Sequence, residues 1–293
     1  MSHPSFLSHI EQNYPRLSKG HKKIADFILL EYDKAAFMTA SVLGEAVGVS
    51  ESTVVRFAAE NGWKGYPELQ KYLQEMIRSR LTSVQRLQAA ETKLGGADGD
   101  KILEATMTAD AEMIRRTLEQ VSGKKIDAIV EAINQAERIY IQGARSCAVL
   151  ANFLALYLNV LHPGVVCANA FSAGQACEQL MHINERDMCI AISFPRYSKH
   201  TVTALRFARG RGACAVAITD APHSPIAQLS QHALFAACDA VGFVDSLAAP
   251  LSLVNALLAA CARSQGDKLY GALNGLEDIW AQHEVYENRD SEK

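Results

Sequence analysis

Along residues 1–90 apolar positions recur at spacings of three and four, the mark of amphipathic helices, and no run alternates as a half-buried strand would. The segment 6–14 reads as a short amphipathic helix. Ser18 opens a longer one, with Ile24, Phe27, Ile28 and Leu30 at helical spacing. Two close-set helices follow, about 40–47 and 51–61, and then a mostly polar helix over about 68–87. Residues 91–100 (ETKLGGADGD) hold three glycines and three acidic residues without apolar periodicity, which predicts a linker. Helical periodicity resumes over 101–135, with a break near Ser122-Gly123.

From Arg138 onward the pattern changes. Short, continuous apolar runs appear at 138–143, 164–169, 187–193, 214–220 and 232–238, separated mainly by helical segments. Unbroken apolar runs fit strands buried on both faces, and strand–helix alternation implies a parallel sheet. Two further helices, about 245–262 and 269–286, complete the chain. The expected fold is an all-α N-terminal domain plus an α/β C-terminal domain with a doubly wound, mainly five-stranded parallel sheet. The expected domains are 1–90, a linker and connecting helix over 91–124, and 125–293.

Composition narrows the classes. The 293 residues are 49% hydrophobic and 21% charged, enough to fill two cores and too apolar for a disordered chain. No uninterrupted apolar run reaches the roughly 18 residues of a membrane span. The first twenty residues lack the basic-then-apolar order of a secretory leader, so a cytoplasmic setting is expected. None of the seven cysteines forms a Cys-x-x-Cys pair, so no metal site is indicated; no motif calls for a cofactor. Several lie in apolar runs as small buried hydrophobes, consistent with a reducing compartment. The net charge of −3 divides into +2 over residues 1–90 and −5 over the rest. A DNA-binding argument therefore depends on local placement rather than bulk charge.

That placement occurs at 40–63 (ASVLGEAVGVSESTVVRFAAENGW). Gly48-Val49-Ser50 forms a three-residue corner: glycine supplies the left-handed turn, Val49 plugs the gap between helices, and Ser50 caps the second helix. Leu43, Val47, Val54, Phe57 and Ala58 supply an inner face. Glu51, Ser52, Thr53 and Arg56 remain on the outer face at the helix start, where short polar groups and one arginine reach base edges in a major groove. Lys64 stands beyond the helix as a candidate phosphate contact.

These residues resemble the helix-turn-helix domain of RpiR-type regulators. The chain matches that family's run at Gly48, Val49, Ser50, Thr53, Val54, Arg56, Phe57, Gly62, Gly65 and Tyr66, with Trp63 in the aromatic place. The resemblance implies Ser50, Ser52, Thr53 and Arg56 as DNA-facing residues.

Two strand ends carry chemistry suited to an anion. After strand 138–143, Gly143 leads into Ala144-Arg145-Ser146 and a helix; backbone amides, the Ser146 hydroxyl and the Arg145 cation can converge there. After strand 187–193, Ser193 is followed by Phe-Pro-Arg-Tyr and a helix near Ser198, with Ser198, Thr201, Arg196 and Lys199 around its start. Together with the later run ITDAPHSPIAQLSQHALFA, residues 125–265 resemble the sugar isomerase (SIS) domain. That resemblance implies phosphosugar contacts at Ser146, Ser193, Ser198 and Thr201. Many SIS domains have a compact glycine-containing second loop; the bulkier, cationic loop here suits a more anionic ligand, such as a sugar-acid phosphate.

The expected protein is a regulator of carbohydrate metabolism, repressor or activator. It would bind an operator in double-stranded DNA and respond to a phosphorylated sugar or sugar-acid effector. It would pair as a homodimer or homotetramer, with no membrane association. The alternative is a sugar-phosphate isomerase with Glu178 as base, since Glu178 and His182 stand four apart, as on one helix face.

Overall fold

A computed structural model describes residue 10 and residues 13–80, 82–169, 172–240 and 242–286. The chain divides into two compact units, Met1–Arg86 and Leu87–Lys293.

The first unit is helical. Helices α1 (Lys19–Ala35), α2 (Ala40–Val47) and α3 (Glu51–Glu60) each begin at a hydroxyl cap: Ser18, Thr39 and Ser50 accept from the amides of His21, Val42 and Thr53. Helix α4 (Tyr66–Arg80) completes the core, in which Ile24, Ile28, Leu43, Val54, Phe57, Leu69 and Leu73 are fully buried. The Tyr66 hydroxyl lies 3.1 and 2.9 Å from the carbonyls of Ala35 and Met38 and so staples α4 to the end of α1. Burial pushes its pKa up to about 12. Leu30 departs from the expected inner stripe and is 81% exposed, because two residues past Ile28 it lies about 200° around the helix, on the outer face. The short helix expected over 6–14 lies largely outside the described residues.

The single polar helix expected over 68–87 is two helices, α4 and α5 (Ser83–Leu94). Thr82 and Gln85 explain the restart: the Gln85 amide donates to Thr82 Oγ1 at 3.2 Å, and the Thr82 amide to Gln85 Oε1 at 2.9 Å. This reciprocal cap satisfies two otherwise orphaned donors. Helix α5 thus runs into the expected linker, of which only 95–98 is non-helical; Asp98 then caps α6 (Gly99–Gln120) by accepting from Lys101 at 2.9 Å. The division between units falls at 86/87, ahead of the expected linker. The break near Ser122 separates α6 from α7 (Gly123–Gln135).

In the second unit, β1 (Ile139–Gly143), β2 (Val165–Cys167), β3 (Met188–Ile192), β4 (Cys214–Thr219) and β5 (His232–Phe235) form one parallel sheet in the order β2-β1-β3-β4-β5. Every residue of β1 and β3 is buried, as their unbroken apolar runs require. The crossover helices are α8 (Cys147–Leu161), α9 (Ala173–Gln179) and α10 (Lys199–Gly210); α11 (Ala248–Gln265) and α12 (Asp267–Gln282) follow β5. One core joins Ile139, Ile141, Ile190 and Ile192 to Leu150, Leu154 and Leu257; the other joins Tyr140, Cys189 and Ala191 to Leu180 and Leu205. Alternate strand residues feed opposite cores, as the pleat dictates. Cys189 is fully buried, and desolvation holds its thiol up at about 12.

Candidate functional site

The first unit places the corner residues as the sequence requires. Gly48 takes φ 67 and ψ 51, and its amide and that of Val49 close the end of α2 by bonding to Glu45 and Gly44. Gly44 supplies a second need, close approach: a Cβ there would stand 2.8 Å from the Val49 carbonyl oxygen. Lys23 of α1 donates to the Gly48 carbonyl at 3.4 Å, a support for the corner that the sequence reading did not single out.

Ser50 Oγ accepts from the Thr53 amide at 3.3 Å and lies 2.9 and 2.8 Å from the hydroxyls of Ser52 and Thr53. The three hydroxyls thus cluster at the α3 N-terminus, where helix-end amides favour phosphate oxygens. Glu51, Ser52 and Arg56 are exposed and Thr53 half-buried, while Val54, Phe57 and Ala58 have no exposed surface. Ser52 and Arg56 are four residues apart and share a face. The Lys64 side chain is exposed beyond α3, and its amide donates to Glu68 at 2.6 Å.

In the second unit β1 and β3 are neighbours, with Gly143 registered against Ile192. The loops that follow them, 144–146 and 193–198, therefore leave the carboxyl edge side by side. Strand order reverses at this point, where doubly wound sheets leave a crevice. Gly143 is required by close packing: a Cβ would lie 2.5 Å from the Cys147 carbonyl oxygen and 2.9 Å from Ala151 Cβ. Its amide is held by Asn169 Oδ1 at 2.9 Å. The amides of Cys147, Ala148 and Val149 bond to carbonyls three residues back. The first loop thus presents chiefly the exposed Arg145, at φ 56, and the exposed Ser146, whose hydroxyl makes no cap bond.

In the second loop two hydroxyls, those of Ser193 and Thr201, are sealed in. Ser193 is 2% exposed and accepts from the Ser198 amide at 3.2 Å; Ser198 caps α10 at Thr201. Thr201 is 1% exposed, and its hydroxyl has no hydrogen-bond partner among the described residues. A buried hydroxyl left unmade costs free energy that a ligand oxygen would relieve. Arg196 and Lys199 are exposed. Tyr197 turns inward, its hydroxyl 3.0 Å from each carboxylate oxygen of Asp220 at the end of β4. Burial raises the Asp220 pKa, and the Tyr197 hydrogen bond opposes the rise.

Asn169 and Asp220 were missed in the sequence; Asp220 directly follows β4 and Asn169 stands two residues past β2, and that position was the available signal. The expected Glu178–His182 pair is not on one helix. Helix α9 ends at Gln179, and His182 lies in the turn beyond it, with both side chains exposed. No helix among the described residues is long and apolar enough to cross a membrane, and no cluster of metal-binding side chains occurs among them.

Comparison with known proteins gives this architecture its class. Residues 5–80 match the rpiR-family helix-turn-helix domain and residues 132–260 the SIS domain, so the chain is a DNA-reading domain followed by a sugar isomerase fold. An HTH-type transcriptional regulator of Haemophilus influenzae is 28% identical over 231 residues, covering 78% of each chain. The sugar isomerase domain of an RpiR transcription factor from Sphaerobacter thermophilus is 32% identical, with a TM-score of 0.55; the match covers 59% of this chain and 96% of that one. The NanR protein of Vibrio vulnificus, solved in complex with ManNAc-6P, shares the fold with a TM-score of 0.59 at 22% identity, over 97% of this chain and 100% of its own. The chain belongs to the RpiR-type transcriptional regulators.

Proposed function

We propose that the SIS domain of this regulator captures a phosphorylated sugar or sugar acid at the β1–β3 edge, and that capture changes operator binding by α3. The carrying observation is the Gly143–Ile192 register, which sets Ser146 beside the Ser193 loop, together with the buried, unpartnered Thr201 hydroxyl. Ser193, Ser198, Thr201 and the α10 N-terminus form the phosphate end of the cradle; Arg145, Arg196 and Lys199 supply positive charge for a second acidic group. NanR, of the same fold, holding ManNAc-6P supports the ligand class.

In this reading DNA is met by Ser50, Glu51, Ser52, Thr53, Arg56 and Lys64, from two chains of a homodimer or a homotetramer. Ligand and operator are linked, and the coupling is reciprocal, about 1–3 kcal/mol. The domain binds without turnover: an isomerase base must sit within reach of the proton it moves, and Glu178 is exposed on a short helix that His182 does not share.

The test is a thermal-shift screen of the full chain against hexose phosphates, aminosugar phosphates and phosphorylated sugar acids. A binder raises the melting temperature with concentration. Lack of stabilisation by every class would remove the cradle reading. Product formation from a binder, abolished by Glu178→Gln, would replace it with the enzyme.

A further inference from the structure

The candidate cradle is tied to helix α6 by a continuous series of buried hydrogen bonds. Thr219, at the end of β4, donates its hydroxyl to the Ser193 carbonyl at 2.7 Å. The Thr219 carbonyl accepts from the Ala236 amide at 2.8 Å. The next amide, Ala237, donates to Thr117 Oγ1 at 2.9 Å, and Thr117 donates onward to the Met113 carbonyl at 2.8 Å. Ser193, Thr219, Ala236, Ala237, Thr117 and Met113 are all buried. Two further bonds close the joint: the Asp239 amide to Met113 Sδ at 3.1 Å, and the Arg116 guanidinium to the Asp239 carboxylate at 2.9 Å.

Helix α6 has 22 residues, and its only buried ones are Met113 and Thr117. Ile102, Leu103, Met107, Ile114 and Leu118 are exposed along the rest of it. Its buried anchorage therefore concentrates at one turn, which meets the segment after β5 and, through Met113 and Ala249, helix α11. A valine would fill the Thr117 site equally well. The hydroxyl is used in both of its roles, as acceptor from Ala237 and donor to Met113.

We propose that Thr117 is a positioning residue through which effector capture on the Ser193 loop reaches α6, the helix that follows α5, within which the boundary between the two units falls. This rests on the cradle reading, because it requires an anion at Ser193. Groups bonded in series in a low-dielectric interior resist moving singly, because a donor left unmade there is costly; the Thr219 hydroxyl, also 3.0 Å from Asp220 Oδ1, is the link with a second acceptor. A shift of the Ser193 backbone is thus passed to Thr219, to the 236–237 amides and to the 113–117 turn. The part-exposed Arg116–Asp239 pair steadies the same joint from outside.

The experiment uses the full chain with inorganic phosphate and hexose phosphates as probes, confirmed as bound by thermal shift and then followed by hydrogen–deuterium exchange. The bound probe is expected to slow exchange over both 232–240 and 109–121, by about threefold or more. Thr117→Val should keep the thermal shift and the slowing over 232–240 but lose the slowing over 109–121, and Thr117→Ser should restore it. If Thr117→Val does not fold, Arg116→Gln weakens the same joint and should reduce the response over 109–121. A response there that persists in these variants, or is absent from the unaltered chain while phosphate is bound, overturns the relay and leaves the cradle standing. Failure of every probe to stabilise the chain overturns both.

Discussion

On α3 the groups proposed to meet DNA stand in water, whereas at the β1–β3 edge the proposed phosphate contacts Ser193 and Thr201 are enclosed by the fold, with Arg145, Ser146, Arg196 and Lys199 exposed around them. Ser52 and Arg56 are exposed; Ser193 and Thr201 are 2% and 1% exposed. The difference suits the proposed partners. A duplex arrives with its own dense charge and wide groove, so a reader needs rigid placement of a few outward groups, which the Ser50 cap and Gly48 corner provide. A small anion has little surface to offer, and its recognition depends on donors already removed from water, where each bond is stronger and each unmade bond costs more. One region therefore separates binding from stability, and the other entangles them.

The largest expected effect tests the entangled side. Gly143→Val drives a side chain into Cys147 and Ala151 and should cost about 3 kcal/mol in urea unfolding of the second unit. The first unit, with its separate core, should melt unchanged. Arg56→Ala probes the opposite case: about 2 kcal/mol of affinity lost for promoter DNA by fluorescence anisotropy, with the melting temperature unmoved. Arg56→Ala with normal DNA affinity would show that α3 reads through other groups.

Thr201→Val sharpens the contrast, because it removes a buried hydroxyl that lacks a partner. Phosphosugar affinity by calorimetry should fall about tenfold while stability holds or rises slightly. A loss of stability would instead assign the hydroxyl a structural bond. The smallest effect concerns Asp220. Its folded pKa lies above the ordinary carboxylate value, so its contribution to stability is complete in acid, below the unfolded pKa, and is lost as pH rises through the folded pKa. Asp220→Asn should flatten that decline in a pH series of melting curves.

The sequence was most readable where one residue decides the local conformation. Helix α2 and the start of α3 came out at 40 and 51 because Gly48 and Ser50 act on their immediate neighbours. The five strands and the two loops proposed to hold an anion were visible in their apolar runs and following hydroxyls. What escaped was set by distant pairing or by a cap overlooked. Thr82 and Gln85 carried a helix into the glycine-rich segment taken for a linker. The Tyr197–Asp220 bond joins residues 23 apart, and Thr117 meets a main-chain amide 120 residues away, which every residue type but proline supplies. No side-chain pattern marks such a partner.

The bond from the Ser198 amide to Ser193 has a consequence for timing. In the proposed reading the fastened loop covers Ser193 and Thr201 until it loosens, so association waits on that opening even though Arg196 and Lys199 draw an anion to the edge. Departure then waits on the same opening. A regulator built this way would answer a rising concentration after a lag, and the residence time of its guest would set how long the response outlasts the supply.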